Sequence, residues 1–396
     1  MGPLDNIVVL DLSRILAGPF STQILSDLGA TVWKIESPWG DDTRKWGPPF
    51  IEGESAYYLS ANRGKKSMIV NLRDERGQAI IKQMAQKADI LVENFKVGDL
   101  ARRGLDYDSV SKINPRLIYA SVTGFGQTGP RAPEPGYDAA LQGMPGVMSV
   151  TGETDGPPSK VGVAWIDILT GLTATIGILS ALYDRENSGL GQHVDVSLFD
   201  VGIVSMANLA QSYLTDNVVP GRIGTAHPQV APYQSFEATD GHFMIAVGND
   251  DQFRRFCDVL GLTTLPDDAR YKDNAARIAN REELAGKIAE VFKTNTRDHW
   301  IEAIAGVGVT VTPVNTLGDV FKDPQAKARK SLWEVDHPTI GKLPLLASAL
   351  QHLSRTPASP QGPPPLLGEH TNQVLSEDLG ISEEEITKLK EDGGIK

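Results

Sequence analysis

Short apolar runs separated by amphipathic stretches dominate the first half of the chain. Residues 6–12 (NIVVLDL) suit a buried strand, a helical stretch follows near 20–28, and 31–36 (TVWKIE) reads as a second strand. That order is the βαβ rhythm of a parallel sheet, because parallel strands need a crossover and a helix is the usual one. The rhythm continues through a helical stretch at 76–87 and strand-like runs at 89–93 (DILVE), 117–122 (LIYASV) and 192–198 (QHVDVSL). The first half therefore predicts a Rossmann-like α/β layer. The most apolar stretch, Val161 to Tyr183, contains Asp167 with several Thr and Gly, and reads as a buried helix rather than a membrane span. Its helical part is expected over 168–184, with Asp167 just ahead of it. Gly171, Ala174, Gly177 and Ala181 recur at helical spacing, so another element should pack very close.

The texture changes near residue 225. Strand signals at 234–247 and amphipathic stretches at 250–260, 281–293 and 297–305 predict a second, smaller α+β domain over 225–325. The expected organisation is a large domain at 1–224, the small domain, and a segment 326–396 that returns to the large one. Within that segment, 357–365 (PASPQGPPP) should run extended over a surface and 376–391 should form a charged helix. No internal repeat is visible.

Composition narrows the function. A chain of 396 residues with 40% hydrophobic content and a mean hydropathy of −0.20 is a globular protein large enough for two cores. A formal net charge of −12 disfavours nucleic acid and anionic membranes, yet leaves room for a small anion held by one basic patch. Cys257 is the only cysteine; it excludes an intrachain disulfide, sits on an amphipathic stretch and reads as packing. With no basic leader and apolar core at the N-terminus, a cytoplasmic location is expected.

Several motifs carry chemistry. Gly124-Phe125-Gly126-Gln127-Thr128-Gly129 is a literal G-x-G-x-x-G after a strand, but Pro130, Pro133 and Pro135 follow it, so no helix can start there and a nicotinamide site is excluded. The glycine loop still marks where a ligand approaches backbone. Asp167 at a helix start reads first as an N-cap; the same position also favours an ionised carboxylate, as a nucleophile requires. Arg14, Arg44, Arg63, Lys65, Lys66, Arg73, Arg102 and Arg103 enrich the first third in cations; most read as surface charge and a few as phosphate partners. The seven histidines show no metal-ligand spacing, and no G-x-S-x-G supports a hydrolase triad.

Longer motifs add a resemblance. Leu10-Asp11-Leu12-Ser13-Arg14-Ile15-Leu16-Ala17-Gly18-Pro19, Asp27-Leu28-Gly29-Ala30, Asn62-Arg63-Gly64-Lys65-Lys66-Ser67, Val92-Glu93-Asn94-Phe95 and Gly136-Tyr137-Asp138 resemble class III CoA-transferases, also called the CaiB/BaiF family. The likeness runs nearly the whole chain, to Gly368-Glu369-His370-Thr371. It implies an interlocked homodimer and an acyl-CoA:carboxylate transfer in which Asp167 is the covalent nucleophile. It assigns CoA contacts to Arg14, Ala17, Val70, Asn71, Leu72, Arg73, Asn94, Phe95, Arg102, Thr123, Gly124 and Phe125. No metal, and no cofactor beyond CoA as substrate, is implied.

The resemblance also bears on the acid. Leu16 stands where formyl-CoA:oxalate enzymes carry a glutamine, and Gly248-Asn249-Asp250 replaces their tetraglycine loop. Residues 222–227, 232–234 and 363–368 are similar to the branch that uses succinyl-CoA and glutarate. A dicarboxylate acceptor, a dicarboxylyl-CoA donor and a pocket including Arg14, Leu16 and Gly248 are therefore expected, with Arg14 reading the distal carboxylate or contacting CoA alone. Transferases acting on formate and oxalate, carnitine or aromatic acids are alternatives. Another rival is an α-methylacyl-CoA racemase, which pairs the aspartate with a histidine for two-base proton exchange. Tyr137 occupies the histidine's place, and an unactivated phenol is a poor base at neutral pH. A non-catalytic CoA-binding protein is the last alternative; an intact Asp167 argues against it.

Overall fold

The computed structural model describes residues 2–396, which divide into two compact units. The larger takes its chain from residues 2–147, 161–216 and 327–396, the smaller from 148–160 and 217–326. The smaller unit thus claims 148–160, inside the span expected to be one large domain, and begins at 217 rather than 225. Arg222 explains part of this: its guanidinium donates to the carbonyls of Glu153 and Gly156, which ties the early segment to the later one.

The larger unit is built on six parallel strands: β1 (Val8–Asp11), β2 (Thr31–Glu36), β3 (Lys65–Ile69), β4 (Ile90–Glu93), β5 (Ile118–Thr123) and β6 (His193–Ser197), in the order β3-β2-β1-β4-β5-β6. The order reverses between β1 and β4, and such a switch point opens a crevice at the carboxyl ends of the strands. Alternate side chains feed two cores. Leu10, Trp33, Met68, Leu91 and Tyr119 face one side, where helix α3 (Glu75–Lys87) and residues of the C-terminal segment cover them. Val9, Val32, Ile90, Ala120 and Val196 face the other, under α1 (Ala17–Asp27) and α5 (Trp165–Ser188).

Helix α5 passes closer to α1 than side chains normally allow. A Cβ on Gly171 would lie 2.7 Å from the Ala17 carbonyl, and buried Ser21 and Thr175 hydroxyls meet at 2.9 Å. The small-residue spacing of this helix therefore has the consequence expected of it. The helix is longer than 168–184 and only half-buried: Ile176 is 65% exposed and Tyr183 77%. Among the described residues α5 alone is long and apolar enough to cross a membrane, but its packing against α1, β5 and β6 is that of a core helix.

Two further differences concern the ends of elements. The charged stretch 376–391 is not one helix: a wide turn over Val374–Asp378 stops at Gly380 (φ 75°), and Ser382 caps a new helix over Glu383–Glu391. An antiparallel hairpin, Leu332–His337 with Gly341–Leu346, appears where only a returning segment was foreseen. The Pro-rich stretch carries no regular structure and is fastened by Ser359 N–H to the Asp27 carbonyl and Gly64 N–H to the Pro363 carbonyl. The smaller unit packs a three-stranded antiparallel sheet against helices over Asp250–Val259, Arg281–Phe292 and Arg297–Gly306, with Cys257 buried among them. Burial pushes that thiol up to about 12.

Candidate active site

Three loops leave the carboxyl ends of β1, β4 and β5 at the switch point and enclose a cavity of about 240 Å³. The β1 loop supplies Arg14, Leu16 and Ala17, the β4 loop Asn94 and Phe95, and the β5 loop Thr123 and Gly124. Asp167, from the first turn of α5, lines the same cavity, as do Lys96, Glu134 and Tyr137.

The β1 loop is strained and held. Ile15 sits at φ 72°, where a β-branched residue is an outlier costing about 1–3 kcal/mol. Asn94 grips Arg14 from both sides, accepting its N–H at 2.9 Å and donating to its carbonyl at 2.7 Å. Asp41 accepts the Ile15 N–H at 3.3 Å, and Lys34 bridges Asp41 (3.0 Å) to the Ser13 carbonyl (3.2 Å). The next element, α1, starts at Leu16 with no side-chain cap, so no side chain competes for its first amides at the cavity wall.

Most of the cations noted in the first third lie at or near the surface, as expected, but three of them turn inward. Arg63 forks onto Asp27 at 2.6 and 2.8 Å, Arg44 onto Glu36 at 2.7 Å, and fully buried Lys65 reaches Asp11 at 3.1 Å. Desolvation of ions this deep is offset by such direct pairing, so each of these acids brought its cation with it. Asp11, Asp27, Glu36 and Asp41 are thus all matched.

Asp167 is not matched. Among the described residues it makes no ion pair; burial, then the negative charge of Asp138, push its carboxyl up to about 7. Glu93 also reaches about 7 through burial, but accepts hydrogen bonds from Ser121 and from Phe95 N–H. The expected capping role of Asp167 falls to another residue. It lies inside the first turn rather than before the helix, Ala164 offers no cap, and Asp138 Oδ1 accepts the N–H groups of Ile166 (2.8 Å) and Asp167 (3.3 Å). The helix start therefore does not hold Asp167 at an ordinary carboxylate acidity: burial first, and the adjacent acid second, outweigh it.

The remaining predicted residues lie apart from this cavity. Val70 bridges to Ile395, Asn71 N–H donates to the Gly394 carbonyl, and Arg73 lies 5.9 Å over Trp39. The Leu72 carbonyl accepts from Arg103 at 3.1 Å, which joins this segment to the turn carrying Arg102. Exposed Arg102 is paired with Asp99. Phe125 turns away from the cavity onto Phe199 at 5.8 Å. Gly248 belongs to the smaller unit, where its N–H donates to Gln252 at 2.7 Å. Arg14 is half exposed and pairs with Asp42 at 3.3 Å. Sequence reasoning missed Asp138, Asp41 and Lys96. It also missed Tyr57, whose phenol is pushed up to about 12 by burial and then by Asp167, Asp138 and Asp41. Of these Asp138 had a signal in the Gly-Tyr-Asp motif, and Asp41 one in the run Asp41-Asp42-Thr43-Arg44, which resembles the same family.

A crevice at the switch point of a parallel sheet is where such folds bind ligands, and residues 4–371 match CoA-transferase family III: the chain belongs to this family of CoA-transferases. It is 42% identical to the succinyl-CoA:glutarate CoA-transferase of Mus musculus over 397 residues, covering 100% of this chain and 91% of the mouse protein. It is 45% identical to the succinate–glutarate CoA-transferase of Agrobacterium fabrum, over 95% of each. The crystal structure of a CAIB/BAIF family protein from Brucella suis superposes with a TM-score of 0.85 at 46% identity, covering 95% of this chain and 99% of that one.

Proposed function

We propose that the enzyme moves CoA from a dicarboxylyl-CoA such as succinyl-CoA to a glutarate-like dicarboxylate, with Asp167 as the nucleophile and CoA carried only as substrate. The observation that carries the mechanism is the unpaired Asp167 carboxylate beside the uncapped start of α1. An unpaired acid in a cleft is costly for stability and useful for attack. The Asp167 oxygen adds to the thioester carbonyl, the C–S bond breaks, and an aspartyl anhydride and CoA thiolate result. The thiolate then adds to the Asp167 carbonyl and expels the first acid as its carboxylate, leaving an Asp167–CoA thioester. The acceptor carboxylate attacks that thioester and the two steps run in reverse. Each addition makes an oxyanion, and the amides opening α1 are suited to hold it.

The choice of acid rests on the named relatives and on the cations of the cavity wall, Arg14 and Lys96. A charge-assisted pair there is worth roughly 1.5–3 kcal/mol, so glutarate should exceed valerate by about ten- to a hundredfold in kcat/KM. Arg14→Met should erase that preference if Arg14 reads the distal carboxylate; retained preference assigns the task to Lys96. Equal use of both acids by the wild type, or oxalate as the better acceptor, would overturn the dicarboxylate reading. Asp167→Ala should abolish transfer yet keep CoA binding, and hydroxylamine added during turnover should leave a hydroxamate on Asp167 alone. The working form we propose is a homodimer in a reducing compartment such as the cytoplasm.

A further inference from the structure

We infer that Asp138, on the short helix α4 (Asp138–Gly143), is a positioning residue for the transfer reaction: it fixes the start of α5 through hydrogen bonds and holds a second negative charge against Asp167 that covalent capture of Asp167 removes. The inference rests on Asp167 being the nucleophile and adds a partner to it.

The geometry makes α4 the seat of the nucleophile. Asp138 Oδ1 takes the N–H groups of Ile166 and Asp167, while Oδ2 takes Gln142 Nε2 at 2.7 Å. Gln142 is fully buried; its Oε1 accepts Val161 N–H at 2.7 Å and its Nε2 donates to the Val163 carbonyl at 3.3 Å. Two side chains one turn apart on α4 thus hold both the lead-in and the first turn of α5. The start of α4 is itself fixed to the β5 loop: a Cβ on Gly136 would lie 2.4 Å from Gly124 Cα. Asp167 is therefore placed relative to the cavity wall by a short series of tight contacts.

A cap needs only an acceptor, and Asn or Ser caps as well as Asp. The charge of Asp138 has an effect that capping does not require, since like charges disfavour ionising the second acid. The other groups around Asp167 are Tyr57 from α2 (Ala56–Ala61) and, across the cavity, Arg14, Lys96, Glu134 and Tyr137; none of them forms an ion pair with it. Repulsion between Asp138 and Asp167 exists only while Asp167 is a carboxylate. In the anhydride the negative charge has passed to the CoA thiolate, and in the thioester to the departing acid, so each acylation relieves the repulsion. Asp138 thereby raises the free anion and favours the acyl-enzyme, a ground-state effect with a defined pair of atoms behind it.

Asp138→Asn and Asp138→Ser keep an acceptor and remove the charge. With either, the acid limb of the kcat/KM–pH profile should move down by about one unit from its wild-type position near pH 7. The ratio of Asp167–CoA thioester to free enzyme with succinyl-CoA and no acceptor, read by intact mass, should fall about tenfold, the same factor as one unit of acidity. Asp138→Ala, which removes the acceptor too, should also raise KM for the acyl-CoA. Unchanged pH limb and unchanged thioester fraction in the Asn and Ser variants would overturn the inference and leave Asp138 a plain cap. A wild-type limb near pH 4 would overturn it without any variant. A wild type that forms no Asp167 thioester at all would sink the covalent reading instead.

Discussion

At the scale of single residues, Asp167 holds a proton more tightly than an ordinary aspartate, because burial and the neighbouring Asp138 both disfavour its anion. Its value rises from 3.8 unfolded to about 7 folded, so the folded state binds more protons between those limits. Stability therefore falls as pH rises from about 4 to 7, and the full cost, about 2–4 kcal/mol, persists above 7. Asp167→Asn should lose transfer and gain stability: its urea midpoint at pH 8 should exceed the wild type's, and the gap should narrow toward pH 5. An equal midpoint at both pH values would contradict the assigned acidity. Nothing local in the sequence distinguishes this acid from a helix cap; only the longer family motifs single it out. Arg44, Arg63 and Lys65 do not stand out from the surface cations in the sequence for a related reason. Their partners Glu36, Asp27 and Asp11 lie elsewhere in the chain, and a window of neighbours cannot show that a charge is buried beside its opposite.

At the scale of elements, the position of the cavity depends on how closely α1 and α5 approach. Gly171→Ala would put a methyl 2.7 Å from the Ala17 carbonyl. Alanine favours helix by about 1 kcal/mol, but a backbone oxygen cannot swing aside as a side chain can, and overpacking costs about 1–3 kcal/mol. The expected result is a lower thermal midpoint and a raised KM for acyl-CoA, since α1 must move and its first residues line the site; a stabilised variant with unchanged KM would refute the close contact. Strands β1, β2, β4, β5 and β6 and helix α5 were legible because their apolar periods are strong. β3 was not, since Lys65 and Lys66 open it and its apolar run is short. The hairpin over 332–346 also escaped notice: its outward positions alternate with only a few buried ones, Val335, Leu343 and Leu345.

At the scale of the whole molecule, α5 and the helices Leu198–Ser205 and Ala207–Asp216 leave an apolar surface open. Ile176, Tyr183, Val204 and Leu214 are each at least 65% exposed. A monomer rarely tolerates so much clustered apolar surface, and a second copy is the occupant proposed above. Sedimentation should show a dimer across the accessible concentration range, and Ile176→Asp with Val204→Asp should yield monomer or aggregate; a wild-type monomer that stays folded and active would contradict it. The two-unit division was legible from the change of texture near residue 225, but the capture of 148–160 was not, because it depends on Arg222 reaching back to Glu153 and Gly156. The discontinuous larger unit has a consequence for biosynthesis. Trp33 donates to Asp378, Ile69 N–H to Thr371, and Asn71 N–H to Gly394, so one face of the first strands waits for the last part of the chain. While the ribosome works through the smaller unit, Leu10, Trp33 and Met68 lack the cover that Val374, Leu375 and Ile395 will provide. Such a nascent chain is exposed to aggregation for most of its synthesis. Its cellular yield should therefore depend on holding chaperones more than the stability of the finished enzyme would indicate.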